Sequence, residues 1–302
     1  MQAEDLLQGL PGVFRIVKCG GCGLVRTNPR PTLDTIGSFY PTTYAPHNTA
    51  HPQVSSGRIR FRKLLKKTFA GLIQFNSSRM PPVPIGSALE IGCGSGAYLD
   101  RLRSDGWKVK GIEFSAFAAD AATRRGLDVH HGPVEAAGAP EAPYNAIVAW
   151  MVLEHLHDPV VTLRTMRSWI TDDGYLALSV PVFDGPDRRL FGRYWYALQV
   201  PNHLFHFTVV SLSEVLTRSG WKVEKVMYER VLGNWIGSLG LVVSQRLKLR
   251  RLGSCLIKMT GAGLAVNVPL YPLALLLAGL RSTGRVTVWA RPKKEKGARK
   301  AP

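Results

Sequence analysis

The densest chemistry in the chain lies in eight residues. Leu89-Glu90-Ile91-Gly92-Cys93-Gly94-Ser95-Gly96 sets three alternating glycines between an apolar run and a helical one. Without Cβ atoms, such a turn bends sharply and lets the backbone approach a ligand. The free N–H groups of the helix that follows form an electropositive cradle. Glu90 stands two residues before the first glycine, where it would repel a pyrophosphate and hold a cationic amino group. Glu113 lies 17 residues beyond Gly96, at the end of the next apolar run, placed to accept hydrogen bonds from ribose hydroxyls. The spacing is G-x-G-x-G, not the G-x-G-x-x-G of dinucleotide sites. One acid for an ammonium and one for a ribose point to S-adenosylmethionine rather than NAD. Gly92, Cys93, Gly94, Gly96, Glu90, Glu113 and the adjacent Phe114 are therefore the candidate cofactor residues.

The elements that position these residues follow from periodicity. Strands are predicted over 87–91, 108–112, 128–130, 146–150, 175–180 and 222–228, with a last strand over 285–291. Helices fit 97–104, 116–125, 159–170 and 211–218. Gly106, Gly126, Gly174 and Gly220 each fall between a helix and a strand, as C-terminal caps do. This alternation predicts a doubly wound, Rossmann-like α/β sheet of seven strands, the last antiparallel, with a helical insertion between strands six and seven. His155 then falls at the end of the fourth strand and His203 after the fifth, on the rim where open α/β sheets bind ligands. Imidazole titrates near neutrality, so both are candidate catalytic residues. Tyr194, Trp195 and His206 are candidate acceptor contacts; core packing is the competing reading for each.

The expected organisation is an irregular N-terminal arm over 1–56, a core over 57–230, an apolar helical insertion over 231–284, and a last strand with a basic tail over 285–302. A basic amphipathic helix begins at Phe61.

The 302 residues are 45% apolar, which excludes disordered and collagen-like classes. Four cysteines are too few for a disulfide scaffold, and the first ten residues hold no apolar signal segment, so a cytoplasmic protein is expected. The net charge is +18, and three segments carry all of it: 58–67, 246–258 and 281–302. Charge set at an amphipathic helix and beside an apolar segment suits an anionic membrane surface better than nucleic acid, which draws charge along a cleft. Residues 259–280 are uncharged and long enough to span a bilayer. They contain Asn267, Pro269 and Pro272, however, and the strands on either side must share one sheet. The expectation is an apolar cap over the active site that touches the membrane; a buried insertion or a dipping hairpin are the alternatives.

The glycine motif and both acids resemble those of the class I S-adenosylmethionine-dependent methyltransferases, over roughly residues 87–230. Met151-Val152-Leu153-Glu154-His155-Leu156-His157-Asp158-Pro159 resembles a segment of the ubiquinone-biosynthesis-type subgroup, although Tyr144-Asn145 replaces its usual Phe-Asp. Cys19-x-x-Cys22-Gly23-Leu24-Val25, with Asn28-Pro29-Arg30-Pro31, is similar to the second half of a zinc-ribbon-like preface. Phe191 to Trp195 and Pro201 to Phe207 resemble an insertion found in the same relatives. The resemblance implies methyl transfer to an oxygen or nitrogen of a small or lipid-linked acceptor, a sugar or glycan among them. Alignment alone can suffice for such a transfer, so a base is not obligatory. A structural zinc needs four ligands; His47 and His51 could complete a set with Cys19 and Cys22, but a degenerate knuckle without metal is the expectation. The alternatives are a non-catalytic membrane-associated binding protein and an RNA methyltransferase.

Overall fold

A computed structural model describes residues 1–40, 80–261 and 264–294. The predicted basic helix from Phe61, His47 and His51, and the end of the basic tail lie outside the described residues. From the N-terminus the strands are β1 (Gln2–Ala3), β2 (Phe14–Lys18), β3 (Val25–Asn28), β4 (Ser87–Ile91), β5 (Lys108–Glu113), β6 (Val129–His131), β7 (Tyr144–Trp150), β8 (Ile170–Pro181), β9 (Phe205–His206), β10 (Trp221–Tyr228) and β11 (Arg285–Pro292). The main sheet has the order β10-β11-β8-β7-β4-β5-β6. β4 pairs in parallel with β5 and β7, whereas β11 runs antiparallel to both β8 and β10. This is the expected seven-stranded α/β sheet.

Helices Ala97–Ser104, Ala116–Thr123, Pro159–Ser168 and Val209–Arg218 cover it. Covered on both faces, the central strands are apolar without alternation: Ala146, Ile147 and Val148 of β7 have no exposed surface. Tyr144-Asn145 is structural, because Asn145 Oδ1 accepts the Ser87 N–H at 2.8 Å and ties β7 to β4. Gly106, Gly126 and Gly220 take the positive φ of helix C-caps. Gly174 does not. It lies inside β8, and a Cβ there would stand 2.9 Å from the Asn145 carbonyl.

Residues 1–40 are not the irregular arm that their composition suggested. β1, β2 and β3 pair antiparallel, and β3 also pairs with β9. Phe14, Ile16 and Val25 turn inward to a small core with Trp195, Leu198 and Val200. The alternation is only two or three residues deep in each strand, too short to stand out in sequence.

Between β10 and β11 the chain forms helices Gly233–Leu241, Arg250–Met259, Leu264–Asn267 and Tyr271–Gly279. The first two pack very closely: a Cβ on Gly253 would lie 2.5 Å from Ser244 Cβ, and one on Gly240 would lie 2.9 Å from the Gly253 carbonyl. Among the described residues, no helix is long and apolar enough to cross a membrane.

Candidate active site

β4 ends in the glycine turn. Gly92, Gly94 and Gly96 have φ of 67°, 53° and 78°, a region that a Cβ disfavours. A Cβ on Gly92 would also meet Val152 Cγ2 at 2.5 Å, and one on Gly96 would meet Leu127 Cδ1 at 2.2 Å. The turn is anchored on β5: Gly92 and Cys93 donate to the Ile112 carbonyl at 2.8 and 3.3 Å. Glu113 braces it, Oε2 accepting the Gly94 N–H and Oε1 the Ser115 N–H, each at 2.8 Å. Phe114, next in the chain, is 48% exposed on the same rim. Cys93 differs from expectation. Its thiol is buried against the bare Gly111 backbone, where a Cβ would come within 2.6 Å of Sγ, so the side chain forms a wall behind the turn. Burial raises that thiol's pKa, as do Glu90 and Glu113.

Glu90 is buried, and its Oε2 has no hydrogen-bond partner. Burial pushes its carboxyl well above the usual 4.5, with Arg101 opposing and Glu113 adding to the rise. A desolvated carboxyl of this kind is satisfied by a cation. Each Glu113 oxygen accepts one N–H and keeps a lone pair for a hydroxyl donor. The donor set thus fits S-adenosylmethionine, which brings an ammonium and a ribose diol.

The other side of the rim follows β7. Met151, with φ of 57°, turns the chain into Leu153–His155. His155 is half-buried, and its Nδ1 lies 2.9 Å from the Tyr40 hydroxyl and 3.0 Å from the Asn202 carbonyl. The His155 and His203 rings meet edge to face at 4.6 Å. His203 is buried and its Nδ1 lies 2.8 Å from the Ala197 carbonyl. Burial holds its pKa well below 6.5, and the neighbouring His155 and His206 lower it further. The two expected histidines are therefore brought together, and Glu154 joins them, buried with both carboxylate oxygens unpartnered.

Two of the three expected acceptor contacts do not reach this rim. Trp195 is 1% exposed, its indole N–H donating to Asp187 at 2.8 Å. His206 is enclosed in β9, 3.1 Å from the Thr27 hydroxyl, and burial drives its pKa to about 3. Both serve the small sheet, because β3 fills the side they would have opened. Tyr194 is half-buried, and its hydroxyl accepts from Arg193 at 3.0 Å. Tyr40, Asn202 and Arg30 were not singled out in the sequence. Asn202 donates to the Phe39 carbonyl at 2.9 Å and Arg30 to the His157 carbonyl at 3.1 Å, which docks the N-terminal segment onto the rim. The runs Asn28-Pro29-Arg30-Pro31 and Pro201 to Phe207, which carry part of the resemblance, were the available signal for Arg30 and Asn202. Cys19 and Cys22 sit exposed at the β2–β3 turn, and backbone hydrogen bonds from Cys22 and Gly21 lower the Cys19 thiol pKa.

The family described as "Methyltransferase domain" matches residues 59–226, more than half of the chain. A probable S-adenosylmethionine-dependent methyltransferase of Mycolicibacterium smegmatis is 25% identical over 141 residues, 46% of this chain and 53% of that protein. The chain thus spans about half the length of that curated relative. In the solved complex that contains the Haloferax volcanii Trm112 methyltransferase activator, one chain has the same fold at TM-score 0.50 and 15% identity, covering 78% of this chain and 96% of that one. An S-adenosylmethionine-dependent methyltransferase from Mesorhizobium loti is similar at TM-score 0.45 and 16% identity, over 70% and 93% of the two chains. The chain belongs to the methyltransferase-domain family, and S-adenosylmethionine is its cofactor.

Proposed function

We propose that the protein transfers the methyl group of S-adenosylmethionine to an oxygen or nitrogen of a small or lipid-linked acceptor, glycans among them. The observation that carries this reading is Glu90, a buried carboxylate with an unpartnered oxygen beside a turn of three positive-φ glycines. In this reading Glu90 holds the cofactor's ammonium. Gly92, Gly94 and Gly96 receive its methionine part, Glu113 its ribose, and Phe114 stacks on its adenine. His155 and His203 stand where the acceptor's nucleophile is held, and Tyr194 lines the approach. The residues from Met151 to Pro159 and the Cys19–Cys22 turn support placement in the ubiquinone-biosynthesis-type subgroup with a zinc-ribbon-like preface. Residues 57–230 act as the transferase core and 231–284 as its accessory insertion.

The insertion supports action at an anionic membrane surface on the cytoplasmic side. Leu247, Leu249, Leu252, Leu276 and Leu280 are each more than half exposed. Arg246, Lys248, Arg250, Arg251 and Lys258 stand among them without an acid in the segment. Exposed leucines flanked by cations are the pattern of an interfacial helix. Nucleic acid is a poorer partner, since these cations border apolar surface rather than a cleft.

Two measurements test the reading. Incubation with S-adenosylmethionine and hydroxyl-bearing glycan or lipid-linked sugar acceptors is expected to release S-adenosylhomocysteine. No release with any acceptor by protein that binds the donor would favour a non-catalytic binder. Flotation with vesicles containing anionic phosphatidylglycerol is expected to retain the protein and to lose it when Leu249 and Leu252 become Asp. Equal behaviour of both proteins would remove the membrane from the account.

A further inference from the structure

Helix Arg250–Met259 of the insertion packs inward through Gly253 and Ile257. A Cβ on Gly253 would meet Ser244 Cβ at 2.5 Å, and one on Gly240 would meet Ile257 Cγ1 at 2.8 Å. Arg250, Arg251, Ser254, Cys255 and Lys258 follow at i, i+1, i+4, i+5 and i+8, so they share one exposed face. All five line a single cavity of about 450 Å³, within the range of roughly 300–1,000 Å³ typical of small-ligand sites.

The charge of that cavity is unbalanced. No aspartate or glutamate occurs between Glu229 and Glu295. Among the described residues, no ion pair uses Arg250, Arg251 or Lys258. Like charges on one helix face repel, and a bound anion relieves the repulsion. Each arginine presents a planar fork that grips phosphate through paired N–H bonds; Lys258 adds a point charge and Ser254 a hydroxyl donor. A phosphodiester carries too little charge to neutralise all three cations. A phosphate monoester brings a charge of about −1.5 to −2 and three acceptor oxygens.

The neighbours favour a lipid over a soluble phosphate. Leu247, Leu249 and Leu252 are each more than half exposed on and beside the same helix. An alkyl chain attached to the phosphate would cover them, whereas a free phosphate leaves them in water. Aromatic rings, on which nucleic-acid bases stack, are absent from residues 250–259. The helix is also tied to the segment that carries Tyr194. Its C-cap Thr260 lies, hydroxyl to hydroxyl, 3.4 Å from Tyr196, and Ser238 Oγ accepts the Tyr196 N–H at 2.9 Å.

We propose that the cavity on helix Arg250–Met259 binds the phosphate monoester headgroup of a membrane lipid. The site rests on the membrane reading of the insertion and goes beyond it, because general attraction to an anionic surface becomes recognition of one headgroup. A lipid held there would orient the protein on the bilayer and bring the Tyr194 segment toward the surface at which a lipid-linked acceptor lies.

The test floats the full-length protein with phosphatidylcholine vesicles that contain either phosphatidate or phosphatidylglycerol, matched in surface charge by electrophoretic mobility, over a series of lipid concentrations. Phosphatidate vesicles should bind at least about tenfold more tightly, the worth of charge-assisted contacts to the added phosphate charge. Arg251→Gln with Lys258→Gln should abolish that preference. Arg246→Gln with Lys248→Gln removes the same charge from outside the cavity and should keep it. All four positions are exposed, so circular dichroism should show both variants folded. Cys255 reports on the cavity: its alkylation by iodoacetamide, followed by mass spectrometry of its peptide, should slow with phosphatidate vesicles and much less with phosphatidylglycerol. Equal binding to the two vesicles, equal loss of preference in the two variants, or equal alkylation of Cys255 would overturn the headgroup site and leave the membrane reading in place. Failure to float with either vesicle would remove both. Calorimetric titration with glycerol 3-phosphate separates the sources of phosphate: weak or no binding supports the lipid, and binding as tight as that of the vesicles would overturn it.

Discussion

The two halves of the rim are assembled on different plans. The cofactor half draws on 24 consecutive residues, from Glu90 to Glu113, all on one strand–turn–helix–strand unit. The acceptor half joins pieces that are remote in the chain: Tyr40 meets His155 across 115 residues, and Arg30 meets the His157 carbonyl across 127. Its third wall, the loop before β9, is held by β3 through the Thr27 hydroxyl, which donates to the His203 carbonyl at 2.7 Å. A local unit keeps its chemistry wherever the fold occurs, whereas a wall made of distant segments can change without disturbing the donor site. The difference is what a single family with many acceptors requires.

If that division holds, substitutions in the cofactor half should act on donor affinity and those in the acceptor half should not. The largest effect is expected from Glu90→Gln. Removing the charge that faces a bound ammonium should weaken S-adenosylmethionine by about 2–5 kcal/mol, read by calorimetry. The same substitution should stabilise the cofactor-free protein. The folded state holds the Glu90 proton more tightly than the unfolded chain, whose carboxyl lies near 4.5. Stability therefore falls as pH rises from there through the raised folded value. Thermal unfolding of Glu90→Gln should exceed that of the parent by a margin that widens with pH over this window. A constant margin would mean that Glu90 is not desolvated as described.

Glu113→Ala comes next, at about 1–3 kcal/mol in donor affinity, because it loses the ribose acceptor and frees the Gly94 and Ser115 N–H groups. Unchanged affinity in a folded variant would move the ribose elsewhere. Tyr40→Phe, across the rim, should leave donor affinity alone and lower turnover about three- to tenfold, the worth of one neutral hydrogen bond of about 0.5–1.5 kcal/mol. A fall in donor affinity instead would show the halves to be coupled. The smallest effect concerns the small sheet. Burial depresses His206 to about 3, so its contribution to stability is lost as pH falls from 6.5 toward that value. His206→Gln should flatten the acid limb of thermal unfolding between those pH values.

The same division explains which features were legible in sequence. The order of strands and helices from 87 to 228 is written in local periodicity, and the glycine spacing with Glu90 and Glu113 needs only neighbours. His155 and His203 were visible as rim residues because strand ends could be placed. Their meeting, and the presence of Glu154 with them, depends on the loop at 199–204 folding back to the β7 end, where the Leu204 N–H donates to the Glu154 carbonyl at 2.8 Å. No spacing encodes that return. Trp195 and His206 misled for the same reason: each is an aromatic or imidazole in a polar loop, and only the unforeseen β1–β3 sheet turns them into core. The insertion was half legible. Its uncharged stretch over 259–280 marked an unusual segment, and the pairing of β10 with β11 excludes a single crossing of a bilayer between them. Its glycine-packed helix pair and outward leucines are set by tertiary contacts that no local pattern encodes.

The central claim is that the glycine turn with Glu90 and Glu113 holds S-adenosylmethionine. Calorimetric titration of the purified protein with S-adenosylmethionine and with S-adenosylhomocysteine tests it directly, with Gly94→Asp as the control. At Gly94, φ is 53° and the N–H is given to Glu113, so an aspartate would bring strain and a like charge to the braced turn. The account predicts one site for each ligand in the parent and none in the control. Absence of binding in folded parent protein, or equal binding in the control, would contradict it.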